Sequence, residues 1–239
     1  MKIALINDTH FGARNDSSIF LKYFLEFFEE QFFSYCTDNN IRQVIHLGDL
    51  MDRRKYVNFN TLHEVRLRFF EKFEENDIHL HCIVGNHDTF YRNTNEINSL
   101  NELFVGKNSY FHLYENPIAL DFDGLCIGLI PWIADENREE CESFLKTCAC
   151  PLVAGHFELY GYEIMRGIHF KSGMTDDLLK RFEMVLSGHF HTKSRKNNVY
   201  YLGTQYQITF SDLNERKGFH VLDTETRELE FIENKRHKF

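Results

Sequence analysis

No stretch of about 18 consecutive apolar residues occurs in the 239-residue chain, so the sequence offers no candidate membrane-spanning helix. The apolar run in the opening MKIALINDTH is also too short for a secretory signal. Basic residues are in deficit: 27 Lys and Arg stand against 36 Asp and Glu, for a net charge of −9 and a pI near 5.8. That balance excludes a broad basic field of the kind that holds nucleic acid along its backbone, and any anionic substrate must be held locally. No CxxC pair occurs among Cys36, Cys82, Cys126, Cys141, Cys148 and Cys150, most of which sit in apolar segments. The expectation is buried, reduced thiols and a cytoplasmic location. There is no internal repeat, low-complexity stretch or Pro/Gly-rich linker.

Apolar material is plentiful, at 43% apolar and 15% aromatic, enough for one large core and, on this reading, a single domain over residues 1–239. The period of the apolar pattern alternates along the chain. KIALIND, QVIHLGD and IHLHCIVGN read as strands, and two helical patterns separate them: one beginning near Ser17 or Ser18, the other carrying Leu62, Val65, Phe69 and Phe73 on one stripe. The second half reads as a hairpin, IALDF and LCIGLIPW joined at Asp123-Gly124, followed by a helix in DENREECESFLKT. PLVAGH and MVLSGHFH are two more strands, with a short helix near TDDLLKRF between them. NVYYLGT, QITF, GFHVLDT and ELEFIE close the chain as short strands. Two stacked sheets with helices outside, an α/β class fold, accommodate this order.

Five strand ends carry unusual chemistry. Asp8 and His10 follow IALIN, Asp49 follows VIHLG, Asn86 and His87 follow CIVG, His156 follows LVAG, and His189 with His191 follow VLSG. Ligands in open α/β sheets bind beyond the carboxyl ends of strands, so these donors are expected to converge on one edge. Glycine precedes four of the five groups, where the backbone must turn sharply or something must approach closely. Each motif is weak alone: DTH is common, GDLMD reads equally as a turn, and GNHD as an Asx turn. Taken together, Asp, Asn and His without thiolates suit borderline divalent ions, and so many donors, seven with His87 set aside, suit two ions sharing a carboxylate.

The ordered set DxH, GDxxD, GNHD, GH and GHxH resembles the calcineurin-like metallophosphoesterases. That resemblance implies a four-layer α/β/β/α sandwich, two mixed sheets flanked by helices, with two divalent metal ions. It also implies the ligand sets: Asp8, His10 and His191 for one ion, Asn86, His156 and His189 for the other, with Asp49 bridging and His87 catalytic. Two such ions make hydroxide available for in-line attack on a phosphoryl group, and an imidazole suits protonation of the leaving oxygen. Asp88 is expected either to orient His87 or to cap its turn.

A narrower resemblance covers almost the whole chain. GDLMDRRK, IVGNHD, LDFDG with LIPW, GHFELYG, LSGHFH and the segment from YLGTQYQITF to LEFI are similar to the SbcD-type nuclease subunits of recombination and repair complexes, the T4-type bacteriophage branch above all. It implies a manganese-dependent DNA exonuclease and endonuclease, with magnesium, iron or zinc as other candidate ions. An SMC-like coiled-coil ATPase partner and homodimerisation through helices beside the site are implied as well. The chain departs from that family in stopping at ENKRHKF, where a DNA-capping region and an ATPase-docking segment are expected, and in carrying Asp52 where many relatives have histidine. Candidate phosphate contacts are Arg14, Arg53, Arg54, Lys55, Lys193, Arg195 and Lys196, each beside a motif. Arg53 also suggests the alternative of a phosphomonoesterase or protein phosphatase. A non-catalytic scaffold is the third reading, disfavoured because all seven donor positions are filled.

Overall fold

A computed structural model describes residues 1–165 and 167–236. Its strands are β1 (Lys2–Ile6), β2 (Gln43–His46), β3 (His79–Ile83), β4 (Phe111–Tyr114), β5 (Ile118–Phe122), β6 (Leu125–Ile130), β7 (Leu152–Gly155), β8 (Glu163–Met165), β9 (Ile168–His169), β10 (Met184–Ser187), β11 (Ser194–Lys196), β12 (Val199–Tyr201), β13 (Gly218–Asp223) and β14 (Leu229–Glu233). One sheet runs β14-β13-β1-β2-β3-β4 and the other β11-β12-β10-β7-β6-β5, while β8 and β9 form a separate ribbon. Strands β1 to β4 are mutually parallel, as are β6, β7, β10 and β12, so the carboxyl ends of each group share one edge.

Side-chain alternation divides the strands between layers. Ile3, Leu5, Ile45, Ile83, Leu152, Ala154 and Leu186 face the space between the sheets. Their neighbours Ala4, Ile6, Val44, Leu80 and Cys82 pack under helices on one outer face, and Val153 and Val185 under a helix on the other. This is the expected arrangement of two mixed sheets flanked by helices, with apolar residues buried on both faces of the central strands. The helices spanning 18–38 and 59–75 cover the first sheet and meet through Phe28 and Phe69, whose rings lie 4.8 Å apart edge to face. The second of these helices is capped by Asn58, whose side chain accepts from the amides of Asn60 and Thr61. Ser17 occupies the cap position of the first without a side-chain cap bond. Arg138–Thr147 covers the second sheet, burying Cys141 and Leu145.

Two expectations are corrected. QITF is not a strand: the Asp212 carboxylate accepts from the amides of Ile208 and Thr209, turning the chain into a helical turn at Phe210–Asp212. Cys126 and Cys150 form a disulfide, their Cα atoms 4.9 Å apart, so the reduced-thiol reading holds for Cys36, Cys82, Cys141 and Cys148 only. The short helix expected near TDDLLKRF is present as a single turn at Asp177–Leu179. The hairpin at Asp123-Gly124 forms as expected, both residues taking positive φ. Among the described residues no helix is long and apolar enough to cross a membrane.

Candidate metal centre

The five polar strand ends converge. His10 Nε2 lies 3.8 Å from both Asp8 Oδ1 and Asp49 Oδ2, and 3.0 Å from His191 Nε2. Across Asp49, His156 Nε2 lies 3.4 Å from Oδ2, while Asn86 Oδ1 is 2.9 Å from both His156 Nε2 and His189 Nδ1. Ligand atoms about 2.1 Å from one ion stand about 3.0 Å apart when bonded at right angles, and slightly farther when tetrahedral. The observed separations, from 2.9 to 3.8 Å, lie around that spacing. Three overlapping groups each keep their donor atoms within 4.8 Å of one another: Asp8 with His10 and His191, His10 with Asp49 and His87, and Asp49 with His156 and His189.

The ring nitrogens facing away from this cluster supply a second test. His10 Nδ1 lies 3.2 Å from Asp52 Oδ1, His156 Nδ1 donates to the Leu47 carbonyl at 2.7 Å, and His189 Nε2 lies 3.4 Å from Glu158 Oε1. An acceptor on the outer nitrogen fixes the tautomer that leaves the inner lone pair free, the usual support of a metal-bound histidine. By this chemistry the donor set fits divalent ions.

Backbone strain marks the same residues. Asp8, His10, Asp49 and His189 all have positive φ, between 44° and 81°, an uncommon conformation for side chains of this size that clusters at functional sites. The glycines before the donors permit close approach of neighbouring loops. A Cβ on Gly85 would lie 2.1 Å from the Asp49 amide nitrogen, and one on Gly48 would lie 2.7 Å from His156 Nδ1.

Charges interact strongly here. Burial works against a charged His10, but Asp52 first, with Asp49 and Asp8, outweighs it and lifts the imidazole to about 9. His156 reaches about 9 in the same way, burial being overcome chiefly by Asp49. Burial also opposes the Asp49 charge, yet His156 and His10 hold that carboxyl well below its usual range. His191 goes down to about 4, through burial and the neighbouring His10.

Asp88 is fully buried and accepts three backbone amides: Asp49 and Gly85 on Oδ2, Met51 on Oδ1. It thereby pins the GNHD turn to the GDLMD turn. Burial and the Asp49 charge push its carboxyl up to about 7. The His87 ring is oriented by Asp52, whose carbonyl accepts from Nδ1 at 2.6 Å, while the His87 amide donates to Asp49 Oδ1 at 2.7 Å.

The basic candidates are spread around this edge. Arg53 pairs with Asp16 at 3.1 Å and bonds Asn15, so its guanidinium is already engaged. Arg54 reaches Thr89 Oγ and the Tyr91 carbonyl, and Lys55 lies over the Phe90 ring. Arg14 lies over Phe20. Lys193 and Arg195 stand over Phe231 and Tyr200, and Lys196 over Tyr162.

Several supporting residues lie within or beside the motifs without a role that the motifs assign. Trp132 lies beside His189, ring centroids 5.4 Å apart. Asp52 and Glu158 hold histidines from behind. Gln205 and Tyr206 donate to the Asn7 and Thr9 carbonyls, both at 2.7 Å, and Lys217 donates to the His191 carbonyl at 2.8 Å. The loop after β12 therefore clamps the segments bearing Asp8, His10 and His191. Trp132 carried a local signal as the only tryptophan; the loop residues carried none.

Comparison with known proteins agrees with this geometry. The family model described as calcineurin-like phosphoesterase matches residues 1–193. The chain is 37% identical over 234 residues to Exonuclease subunit 1 of Enterobacteria phage T4, spanning 98% of this chain and 68% of that protein. A solved structure described as GAP50, the anchor in the inner membrane complex of Plasmodium, matches over 100% of this chain and 90% of its own, with a TM-score of 0.56 at 12% identity. A second solved structure has a TM-score of 0.57 at 10% identity, covering 97% and 98% of the two chains. The structural likenesses bear on the fold alone. With the family match spanning every donor from Asp8 to His191, and a 37% identical relative aligned over 98% of this chain, the chain belongs to the calcineurin-like phosphoesterases.

Proposed function

We propose that this chain is a metal-dependent DNA phosphodiesterase, an exonuclease and endonuclease acting within a recombination or repair complex. The observation that carries the reading is the 37% identity, over 98% of the chain, to a protein named as an exonuclease subunit. Asp8, His10 and His191 would hold one divalent ion and Asn86, His156 and His189 the other, with Asp49 between them. Manganese is the ion we favour, over magnesium, iron or zinc. When bound, the pair supplies neutralisation of phosphoryl charge and a water of lowered pKa.

The protein's own groups do the rest. Asp49 turns Oδ1 to the His87 amide and Oδ2 toward His10 and His156, so one carboxylate serves both halves. His87 spends its Nδ1–H on the Asp52 carbonyl, which leaves Nε2 as the atom that passes a proton to the leaving oxygen. Asp88 acts on these groups by positioning their turns. Arg14, Arg54, Lys55, Lys193 and Arg195 would meet backbone phosphates, while Arg53 braces its loop against Asp16. The name of the phage relative supports a partner subunit, and an SMC-like coiled-coil ATPase is the one we propose, alongside homodimerisation.

The test is cleavage of end-labelled single- and double-stranded DNA with manganese, magnesium or chelator, run beside hydrolysis of p-nitrophenyl phosphate. Manganese-dependent DNA degradation is expected. Fast monoester hydrolysis without DNA cleavage would place the protein among phosphomonoesterases instead.

A further inference from the structure

At the open side of the sandwich, where β11 and β12 of one sheet face β13 and β14 of the other, lies a cavity of about 250 Å³. Its lining includes Lys193, Ser194, Arg195, Tyr200, His220 and Phe231. None of these residues belongs to the donor set of the metal centre. The family match ends at residue 193, so nearly all of the cavity lies outside it.

Three observations point to an anion. First, the cations are oriented by aromatic faces rather than by ion pairs: Lys193 Nζ lies 3.4 Å from the Phe231 ring centroid and the Arg195 guanidinium 4.4 Å from that of Tyr200. A cation held on an aromatic face keeps its charge and its outward N–H groups. Among the described residues neither side chain forms an ion pair, in a chain whose net charge is −9. Secondly, His220 is 5% exposed with its Nδ1 unpartnered, and the Ser194 hydroxyl is likewise buried without a partner. Buried polar atoms are almost always satisfied, so two orphans lining one basic cavity mark a missing partner. Thirdly, His220 occupies the β13 position paired with Leu5 of β1, two residues before Asn7, and Ser194 begins β11 three residues after His191. The cavity therefore adjoins the edge on which the metal donors converge.

We propose that this cavity binds a phosphate group through Lys193, Arg195, Ser194 and His220, and that its source is the DNA backbone next to the bond being cut. The DNA source rests on the function proposed above; the phosphate site does not. Nucleic-acid phosphates are held by this combination of guanidinium, ammonium and hydroxyl donors, and such contacts fix register without reading sequence.

The experiment uses the full chain with chelator present, so that no cleavage occurs. Histidine labelled with nitrogen-15 reports the His220 ring while inorganic phosphate or a short single-stranded oligonucleotide is added, in the wild type and in Lys193→Met. In parallel, oligonucleotide affinity is measured against salt concentration. The proposal expects a His220 shift with both additives, weakened at least several-fold in Lys193→Met, and a salt slope shallower by about 0.7 for the lost contact. A shift with inorganic phosphate alone would support the phosphate site and overturn the DNA source. No shift with either additive and an unchanged slope would overturn the proposal. Lys193 is exposed, so its replacement leaves the core intact. DNA cleavage with manganese is scored separately, so loss of the nuclease reading would not be confused with loss of this site.

Discussion

The Asp52 carbonyl accepts the Nδ1–H of His87 at 2.6 Å, while the carboxylate of the same residue lies 3.2 Å from His10 Nδ1. One side chain and its own backbone thus orient a candidate metal ligand and a candidate acid. The second acid of GDLMD, which belongs to neither ligand set, gains a physical role from this pairing.

His87→Ala is expected to lower turnover by about 10²–10⁴-fold, the usual contribution of a positioned proton donor. Both ions should remain, since the ligands assigned to each are untouched. Turnover and metal content measured on one preparation check this; intact turnover would remove His87 from the chemistry.

Metal binding should release protons. His10 and His156 are both held at about 9 in the metal-free protein, so both are charged at pH 7 and must lose a proton to coordinate. Apparent affinity should therefore climb as pH rises toward 9. Calorimetry in buffers of different ionisation enthalpy counts the protons, and a value of zero at pH 7 would contradict the charge assignment.

Acid should destabilise the fold through histidines far from the metals. His81 is half-buried, accepts from the Tyr114 hydroxyl on Nδ1 and donates from Nε2 to Gln43, and desolvation with His112 and His79 pushes it down to about 3. The unfolded chain binds a proton near 6.5 and the folded chain does not, so stability is present above 6.5 and falls as pH drops from 6.5 toward 3. The slope reaches about 1.4 kcal/mol per pH unit for this group. Urea unfolding at pH 7 and 5 should show it, with a flatter dependence in His81→Gln.

Lys217 is 5% exposed and lies 2.9 Å from Asp212, which is itself buried. Lys217→Met leaves that carboxylate uncompensated and should cost about 3–5 kcal/mol in denaturant unfolding. The same change releases the His191 carbonyl and should weaken metal binding by about 10–100-fold. Full retention of both properties would show that the loop after β12 does not support the site.

Much of this was legible from residue order. The strands declared themselves because apolar runs end in Gly followed by Asp, Asn or His, and the parallel connections carry those ends to one edge. QITF looked like a strand from its side chains alone, but the acceptor that turns it, Asp212, lies downstream of the run. Asp88 could not be read from its neighbour His87, since its partners include amides of a turn nearly forty residues earlier. Gln205, Tyr206 and Lys217 were invisible for the same reason: they act on carbonyls brought near only by the completed sheets.

The central claim is a two-ion centre sharing Asp49, and anomalous diffraction at the manganese edge from crystals grown with manganese tests it most directly. The account predicts two peaks about 3.5–4 Å apart, one among Asp8, His10 and His191 and one among Asn86, His156 and His189, with the Asp49 carboxylate between them. A single peak, or peaks away from Asp49, would contradict it.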